Sequence, residues 1–431
     1  MSSGRRRGGL DLSPEPPGPD SGTPDAWNTI LVFHVDLFSG PVHSPYLTTL
    51  VESLPQFQFL ILTSRPPGTE SIRTWPDNVS FLWRRGQILH RLERRLPPLA
   101  ARVAGVGIDI VRGIQNRRLL RTAHFNLIHV HAGVDVENLM RLGRKLRLRG
   151  FWVVARWLSD FRWTGRPVLF TEHSLFSRRS ELGFPNPLHE ADLCVTDAYQ
   201  NIICVDRDAY RFLARRDEKA GVQRRRWFIP NGIDMNRFAF RPLSERSGLR
   251  IGYAGRIFRN GESRTFLTEV ARRLPSGAEL HLAVAQNLEE AEIRERWFPG
   301  ARVFLKRNVP NEEMPPFYWD LDLLVNPLLW GGIGRTSLEA MSCGRPVAMF
   351  RNADRYPLSE DNGYLLPAED VGAFLSLVDH LLSNRGDLSA RGRRARETLE
   401  TGFAETQVAA QTATVYRELL GSAARTQEAA R

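Results

Sequence analysis

Lysine is almost missing from this chain. Lys145, Lys219 and Lys306 are the only ones among 59 basic residues, so arginine carries nearly all of the positive charge behind the formal +11. An arginine fork suits bidentate contact with phosphate or carboxylate, where lysine offers a point charge. Cysteine is as scarce: Cys194, Cys204 and Cys343 lie far apart. They have no metal-ligand spacing, which argues against a structural zinc site and for a reducing compartment. They are expected to be small buried hydrophobes. A run of eighteen apolar residues occurs nowhere, which excludes a membrane-spanning helix of the usual kind. The first residues lack the charged-then-apolar order of a secretory signal, so a cytoplasmic location is the expectation. The charge favours anionic partners, among them nucleotides, phospholipid surfaces and nucleic acid, without choosing between them.

What the chain has in quantity is apolar side chains, 42% of 431 residues, enough for two or three domains with sizeable cores. Residues 1–26 stand apart, rich in Pro, Gly, Ser and Asp, and are expected to form a disordered tail. Order is expected from the apolar run at 30–35, which has strand length. Leu47, Leu50, Val51 and Leu54 fall on one helix face, and FQFLILTS (57–64) reads as a second buried strand. The series continues with strands at 126–131, 167–171 and 201–205, a long helical region at 136–162, and Asp206 as a helix N-cap. The polar stretch ARRDEKAGVQRRR (214–226) reads as the link between two domains. After it the pattern restarts, with strands at 250–255, 279–285, 301–306, 321–327 and 346–350 and a helix at 263–274. Strands apolar throughout imply parallel sheets covered on both faces, and such sheets bind ligands beyond the carboxyl ends of their strands.

Between residues 81 and 149 arginine is dense. RRGQILHRLERRLPPLAARV (84–103) sets Ile88, Leu89, Leu92 and Leu96 on one face, a core-packed helix with a solvated basic side, and peripheral membrane contact is the alternative. FWVVARWLSDFRW (151–163) poses the same choice. No nucleic-acid-binding motif accompanies these arginines, so nucleic acid is not an expected partner.

Three constellations can carry chemistry. In WGGIGRTSLEAMSCGRPV (330–347), Gly331, Gly332 and Gly334 precede a helix over 335–343, with Gly344 as its C′ residue. The glycines allow a ligand close to the backbone, and the free first-turn amides near Arg335 and Thr336 form an anion site suited to phosphate. Glu339, one turn further on, can accept two hydrogen bonds from a vicinal diol such as a ribose. The plainer alternative is an ordinary turn with an Arg335–Glu339 pair worth ~0.3–0.5 kcal/mol. YAGRIFRNGES (253–263) sets Arg256 at a strand end, where it could clamp a diphosphate, with Arg259 as a second contact or both as solvated loop residues. FTEHSLFSRR (170–179) offers His173, able to exchange a proton near neutrality, beside Arg178 and Arg179. His129 and His131 share a strand face, and with no third ligand they are expected to pack rather than bind a metal.

Taken together, FIPNGIDMNRF (228–238), YAGRIF (253–258), residues 304–350 and NGYLLPAEDVGAFLSLVDHLL (362–382) resemble glycosyltransferase family four, retaining enzymes of the GT-B fold, in motif, order and spacing. The resemblance is strong over 230–420 and weaker before it, where NLIHVHAG and PVLFTEHS look like the family's strands. It implies an α/β GT-B architecture of two Rossmann-like domains facing a cleft. Residues 27–215 would hold the acceptor, 216–395 the donor, and the helices of 396–431 would cross back to brace the first domain. The implied reaction is retaining transfer of a sugar from a UDP- or GDP-sugar to an acceptor hydroxyl, with no catalytic metal and no cofactor beyond that co-substrate.

By position, Arg256, Arg259, Gly334, Arg335 and Thr336 would hold the diphosphate, Glu339 the ribose, and Arg307 and Val309 the base. Gly331, Gly332 and Ile333 would lie near the donor sugar, with His173 and Arg256 as the catalytic groups and Ser39 and Gly40 in an acceptor-side loop. The acceptor is left open among lipid-linked, polysaccharide and small-metabolite hydroxyls, with peripheral contact at the inner face of a membrane as an option. Where the family has two glutamates eight positions apart, this chain has Gly331 and Glu339, and Asn260 or Arg259 replaces the lysine after the GR pair. The other readings are a nucleotide-sugar-binding chain or partner subunit without turnover, and a basic protein that binds anions or membranes.

Overall fold

Ile30, Leu31, Val32 and Phe33 are each at most 1% exposed, which is why the first apolar run is a strand covered on both faces. The computed structural model describes residues 29–33, 45–63, 75–83, 98–131, 150–173, 193, 196–256, 262–285, 288–329 and 331–429. In chain order the first half has β1 (Thr29–Phe33), α1 (Pro45–Ser53), β2 (Gln58–Thr63), β3 (Val79–Trp83), α2 (Pro98–Thr122), β4 (Leu127–His131), α3 (Gly150–Ser159), β5 (Val168–Glu172), β6 (Asn201–Cys204), α4 (Arg207–Lys219) and β7 (Arg225–Phe228). The second half has β8 (Leu249–Gly255), α5 (Glu262–Arg273), β9 (Ala278–Val284), α6 (Glu290–Trp297), β10 (Val303–Arg307), α7 (Met314–Trp319), β11 (Leu323–Asn326), α8 (Arg335–Ser342), β12 (Val347–Phe350), β13 (Tyr364–Leu366), α9 (Val371–Ser383) and α10 (Arg385–Glu400). The helix α11 (Glu405–Ala429) follows.

Each half builds one parallel sheet. The first has seven strands in the order β3-β2-β1-β4-β5-β6-β7, the second six in the order β10-β9-β8-β11-β12-β13. In both, the chain winds outward from a central strand and then returns to its other side. This reversal opens a crevice at the carboxyl ends of β1 and β4 and of β8 and β11, where such folds bind ligands.

The helices follow the side-chain pattern. Leu47, Leu50, Val51 and Leu54 are at most 2% exposed and press α1 onto one face of the first sheet. The same face is covered by Val408, Ala409, Ala413, Tyr416 and Leu419 of α11, so the C-terminal helix does cross back to the first half. The opposite face packs beneath α2, α3 and α4.

The stretch expected as a link, 214–226, is not one. It contains the end of α4, which caps at Asp206, and the start of β7, which pairs with β6. Part of its charge is paired inside the fold: Arg226 lies 2.8 Å from Asp217, and the side chains are 4% and 8% exposed. The first sheet therefore runs to Phe228, and the boundary expected at 215/216 falls after it. On the return, α10 packs on the second half through Leu388, Ala395 and Leu399, so the crossing falls after it, at 401–404, rather than at 396. There Ile233 and Ala404 form a single β-bridge between outgoing and returning chain.

A helix expected over 84–103 lies mostly outside the described residues, and the described helix continues from Pro98 to Thr122. Of the helical region expected over 136–162, Gly150–Ser159 is described. Cys204 and Cys343 are free and buried as expected, and burial pushes the Cys343 thiol up to about 12.

Candidate active site

The glycine loop begins where β11 ends. Its chain turns at Gly331 (φ 78°) and Gly334 (φ 74°), left-handed conformations that cost an L-residue strain. Gly334 then serves as N-cap of α8 with no side-chain cap, so the helix amides depend on some other partner. The carbonyls of the loop are turned toward buried donors instead. Arg355, only 3% exposed, donates through Nη1 to Gly331 O (2.6 Å) and Gly332 O (3.4 Å). Its Nη2 reaches Leu328 O at 2.5 Å and its Nε reaches Phe350 O at 2.8 Å. Asn326 adds bonds from Nδ2 to Ile333 O (3.2 Å) and Ser337 Oγ (2.7 Å). Burial pushes the Arg355 guanidinium down to about 10, while the carboxylates of Asp206, Asp208 and Asp354 act in the opposite sense.

Across from this loop, the first half contributes His173 and Asp206 to a cavity of 190 Å³ whose other wall includes Gly331, Gly332, Ile333 and Gly334. Asp206 caps α4, accepting from the Asp208 amide at 2.8 Å. Its carboxyl also meets the Gly332 amide, and a Cβ on Gly332 would lie 2.7 Å from that carboxyl carbon. Burial pushes Asp206 up to about 6 despite these backbone hydrogen bonds. Beside it, Arg207 grips Asp354 with two bonds of 2.9 and 2.8 Å, and Arg211 adds one of 2.8 Å. Burial, the largest single influence, pushes the Asp354 carboxyl up, but the Arg207 bonds, the Tyr356 amide and the Arg211 charge together outweigh it and hold the group below its ordinary range. The Arg207 guanidinium also stacks over Tyr356 at 3.9 Å. These contacts join the halves at the base of the cleft.

Of the residues singled out from sequence, His173, Gly331, Gly332, Ile333 and Gly334 share the cavity wall. Arg335 and Thr336 open α8 behind it. Glu339 is 2% exposed and already engaged: Oε1 accepts from Arg335 Nε (3.0 Å) and Asn311 Nδ2 (3.3 Å), and Oε2 from Tyr318 OH (2.8 Å). The Arg335–Glu339 pair of the plainer reading is thus present. Arg256 is exposed just beyond β8, its carbonyl accepting from Tyr253 OH at 2.6 Å. The Arg307 guanidinium is taken by Glu289 at 2.7 Å and by Leu288 O, and Val309 packs against the core beside α7. Arg256, Arg307, Val309 and Glu339 do not line the cavity. Ser39, Gly40, Arg178, Arg179 and Arg259 lie outside the described residues.

His129 and His131 are buried in hydrogen bonds with one another and with Tyr416, Thr171 and His173. Among the described residues no group of three or more His, Cys, Asp or Glu side chains is arranged to hold a metal ion. Sequence reasoning missed Arg355, Asp354 and Arg207 altogether, and took Asp206 only as a helix cap. An N-cap is legible from the residues beside it, whereas the glycine that Asp206 meets belongs to the other half.

This geometry, two Rossmann-like sheets facing each other across a glycine-loop cleft with a C-terminal helix returning to the first, is the GT-B fold. Residues 248–384 match the family model described as Glycosyl transferases group 1. The chain is thus a GT-B protein related to that family. It is 27% identical over 215 residues to the lipopolysaccharide core biosynthesis mannosyltransferase LpsB of Rhizobium meliloti (strain 1021), a match covering 44% of this chain and 60% of that relative's length. Among solved structures, the sucrose-phosphate synthase of Thermosynechococcus elongatus superposes with a TM-score of 0.67 at 17% identity, covering 92% of this chain and all of that one. Anabaena Alr3699/HepE, solved with UDP and glucose, gives 0.58 at 14% identity over 91% of this chain and 100% of that one.

Proposed function

We propose that this protein transfers a hexose-type sugar from a UDP- or GDP-sugar to an acceptor hydroxyl, with retention and without a catalytic metal. The observation that carries the proposal is the uncapped, carbonyl-inward glycine loop at the start of α8, set opposite His173 across one cavity. Amides so arranged suit a diphosphate, and the helix dipole favours the charge it gains as it leaves the sugar. Arg256, exposed at the edge of the same sheet, is free to swing onto that diphosphate, with Arg259 as its neighbour. His173 would contact the transferred sugar, and the departing diphosphate would take up the acceptor's proton. Glu339 would meet the ribose only by exchanging one of its present bonds. The bound UDP and glucose of the Anabaena relative support a UDP-sugar in particular.

The lipopolysaccharide-core relative favours a lipid-linked acceptor, approached at a membrane surface. Trp157 and Trp163, 50% and 36% exposed, sit beneath the Arg117 guanidinium and suit such an interface. A binding-only role is the second reading, favoured by Gly331, which brings no carboxylate to the loop where the family has an acid. Donor-dependent release of UDP or GDP in the presence of lipid-linked and soluble acceptors tests the proposal. Saturable nucleotide binding with no release across that panel would favour the binding-only role.

A further inference from the structure

Buried imidazoles need partners, and His129 and His131 on β4 have no exposure at all. Residues i and i+2 of a strand share a face, and here that face is the one covered by α11. The result is a continuous polar chain through an otherwise apolar layer. Tyr416 OH lies 2.6 Å from His129 Nδ1, and Thr171 Oγ1 lies 2.7 Å from His129 Nε2. His131 Nε2 lies 3.2 Å from His129 Nδ1, and His131 Nδ1 lies 3.4 Å from His173 Nε2. Register explains the geometry: His131 on β4 pairs with Thr171 on β5, and His173 follows two residues later, just past the strand end. The chain starts in the C-terminal helix and ends at the cavity.

A neutral imidazole donates from one nitrogen and accepts at the other, so the proton on one ring constrains the next. His129 is kept neutral, since burial holds it down to about 3, and a proton gained by His173 would only push it further in that direction. Tyr416 OH and His131 Nε2 meet the same His129 nitrogen, so where Tyr416 and Thr171 place the His129 proton decides whether that nitrogen offers His131 a proton or a lone pair, and the bias passes through His131 to His173 Nε2. We infer that Tyr416 is a positioning residue for His173: through His129 and His131 it sets the ring orientation and the tautomer that His173 presents to the cleft. The C-terminal helix thereby conditions the chemistry of a site it does not touch. The catalytic meaning of this chain rests on the proposed sugar transfer, but the tautomer of His173 does not.

The test is nitrogen-15 spectroscopy of the histidine rings in the full-length protein, compared with Tyr416→Phe. Phenylalanine keeps the ring that packs edge-on against Phe57 at 5.4 Å and removes only the hydroxyl. Phe57→Leu is the control, because it loosens the same helix without touching the chain. The expected result is a changed ratio of Nδ1 to Nε2 protonation at His173 in Tyr416→Phe and none in Phe57→Leu. In turnover, Tyr416→Phe should lower kcat severalfold at an unchanged donor KM. Unmoved His173 nitrogens in Tyr416→Phe, or an equal change in Phe57→Leu, would overturn the inference. Should Tyr416→Phe not fold, Thr171→Val removes the hydroxyl at the other His129 nitrogen, and unmoved His173 signals there would overturn it equally. A preparation without turnover on any nucleotide-sugar would count against the enzyme reading and leave the ring measurement as decisive as before.

Discussion

At Gly332 a single methyl group decides whether the two halves fit. Its Cβ would press on a carboxyl fixed in place as the cap of α4, so the neighbour cannot swing aside without uncapping a helix. Gly332→Ala should cost ~1–3 kcal/mol of stability, as overpacking does. Asp206→Ala in the same chain should recover part of it, a non-additivity that denaturant titration of both single variants and the double variant would read directly. Arg355 acts from behind the loop. Arg355→Lys can reach fewer of the four carbonyls and should weaken UDP binding roughly tenfold or more, about 1.4 kcal/mol. Calorimetric affinity equal to that of the wild type would show that the loop holds its shape without the fork.

Asp206 also makes a prediction with a sign. Its carboxyl titrates at about 6 in the fold against an ordinary 3.8, so the folded state holds the proton more tightly than the unfolded chain. Its contribution to stability is most favourable below the unfolded value and is lost as pH rises from about 4 through 6. Asp206→Asn keeps a capping side chain and removes the buried charge. The variant should therefore exceed the wild type in stability above pH 6, by at most ~3 kcal/mol, with the advantage gone near pH 4. An advantage equal at pH 4 and pH 8 would contradict the burial of that charge.

Among the elements, the strands inside the two sheets were legible, and of the four at the sheet edges only β10 was. The six central strands of the two sheets' winding points, β1, β4 and β5 and β8, β11 and β12, are apolar runs that declare themselves. The missed strands are β3 and β7, the two edges of the first sheet, and β13, an edge of the second. An edge strand has one flank to solvent, and β7 reads RRWF with an exposed first residue, so its charges resembled a linker. The C-terminal helix was expected to brace the first half, and its energetics make it part of that half. Val408, Val415, Tyr416 and Leu419 are each at most 4% exposed. At ~1.5–3 kcal/mol for each large side chain, they rival the net stability of a domain. A chain truncated after Ala404 should bare the face of β1 and β2 and aggregate, and a soluble truncated chain with unchanged circular dichroism per residue would refute this.

For the molecule as a whole, the sequence pattern revealed two sheets and a loop, but not what passes between them. The glycines, the helix start and His173 could be picked out because each obeys a local rule. The ties across the cleft, Asp206 to Gly332 and Arg207 to Asp354, obey none, since they join residues whose spacing only the closed fold defines. The same limit applied to Glu339, whose local pattern fits a diol while its partners Tyr318 and Asn311 arrive from elsewhere in the second half.

The central claim is that the uncapped loop and first turn of α8 receive the diphosphate of a nucleotide-sugar. Titration of UDP into nitrogen-15-labelled protein, followed at the backbone amides, tests it most directly. The account predicts saturable shifts at Gly334, Arg335 and Thr336, with the His173 ring responding only when a sugar is attached to the nucleotide. Saturable binding of UDP, and of GDP, that leaves those three amides unmoved would contradict it.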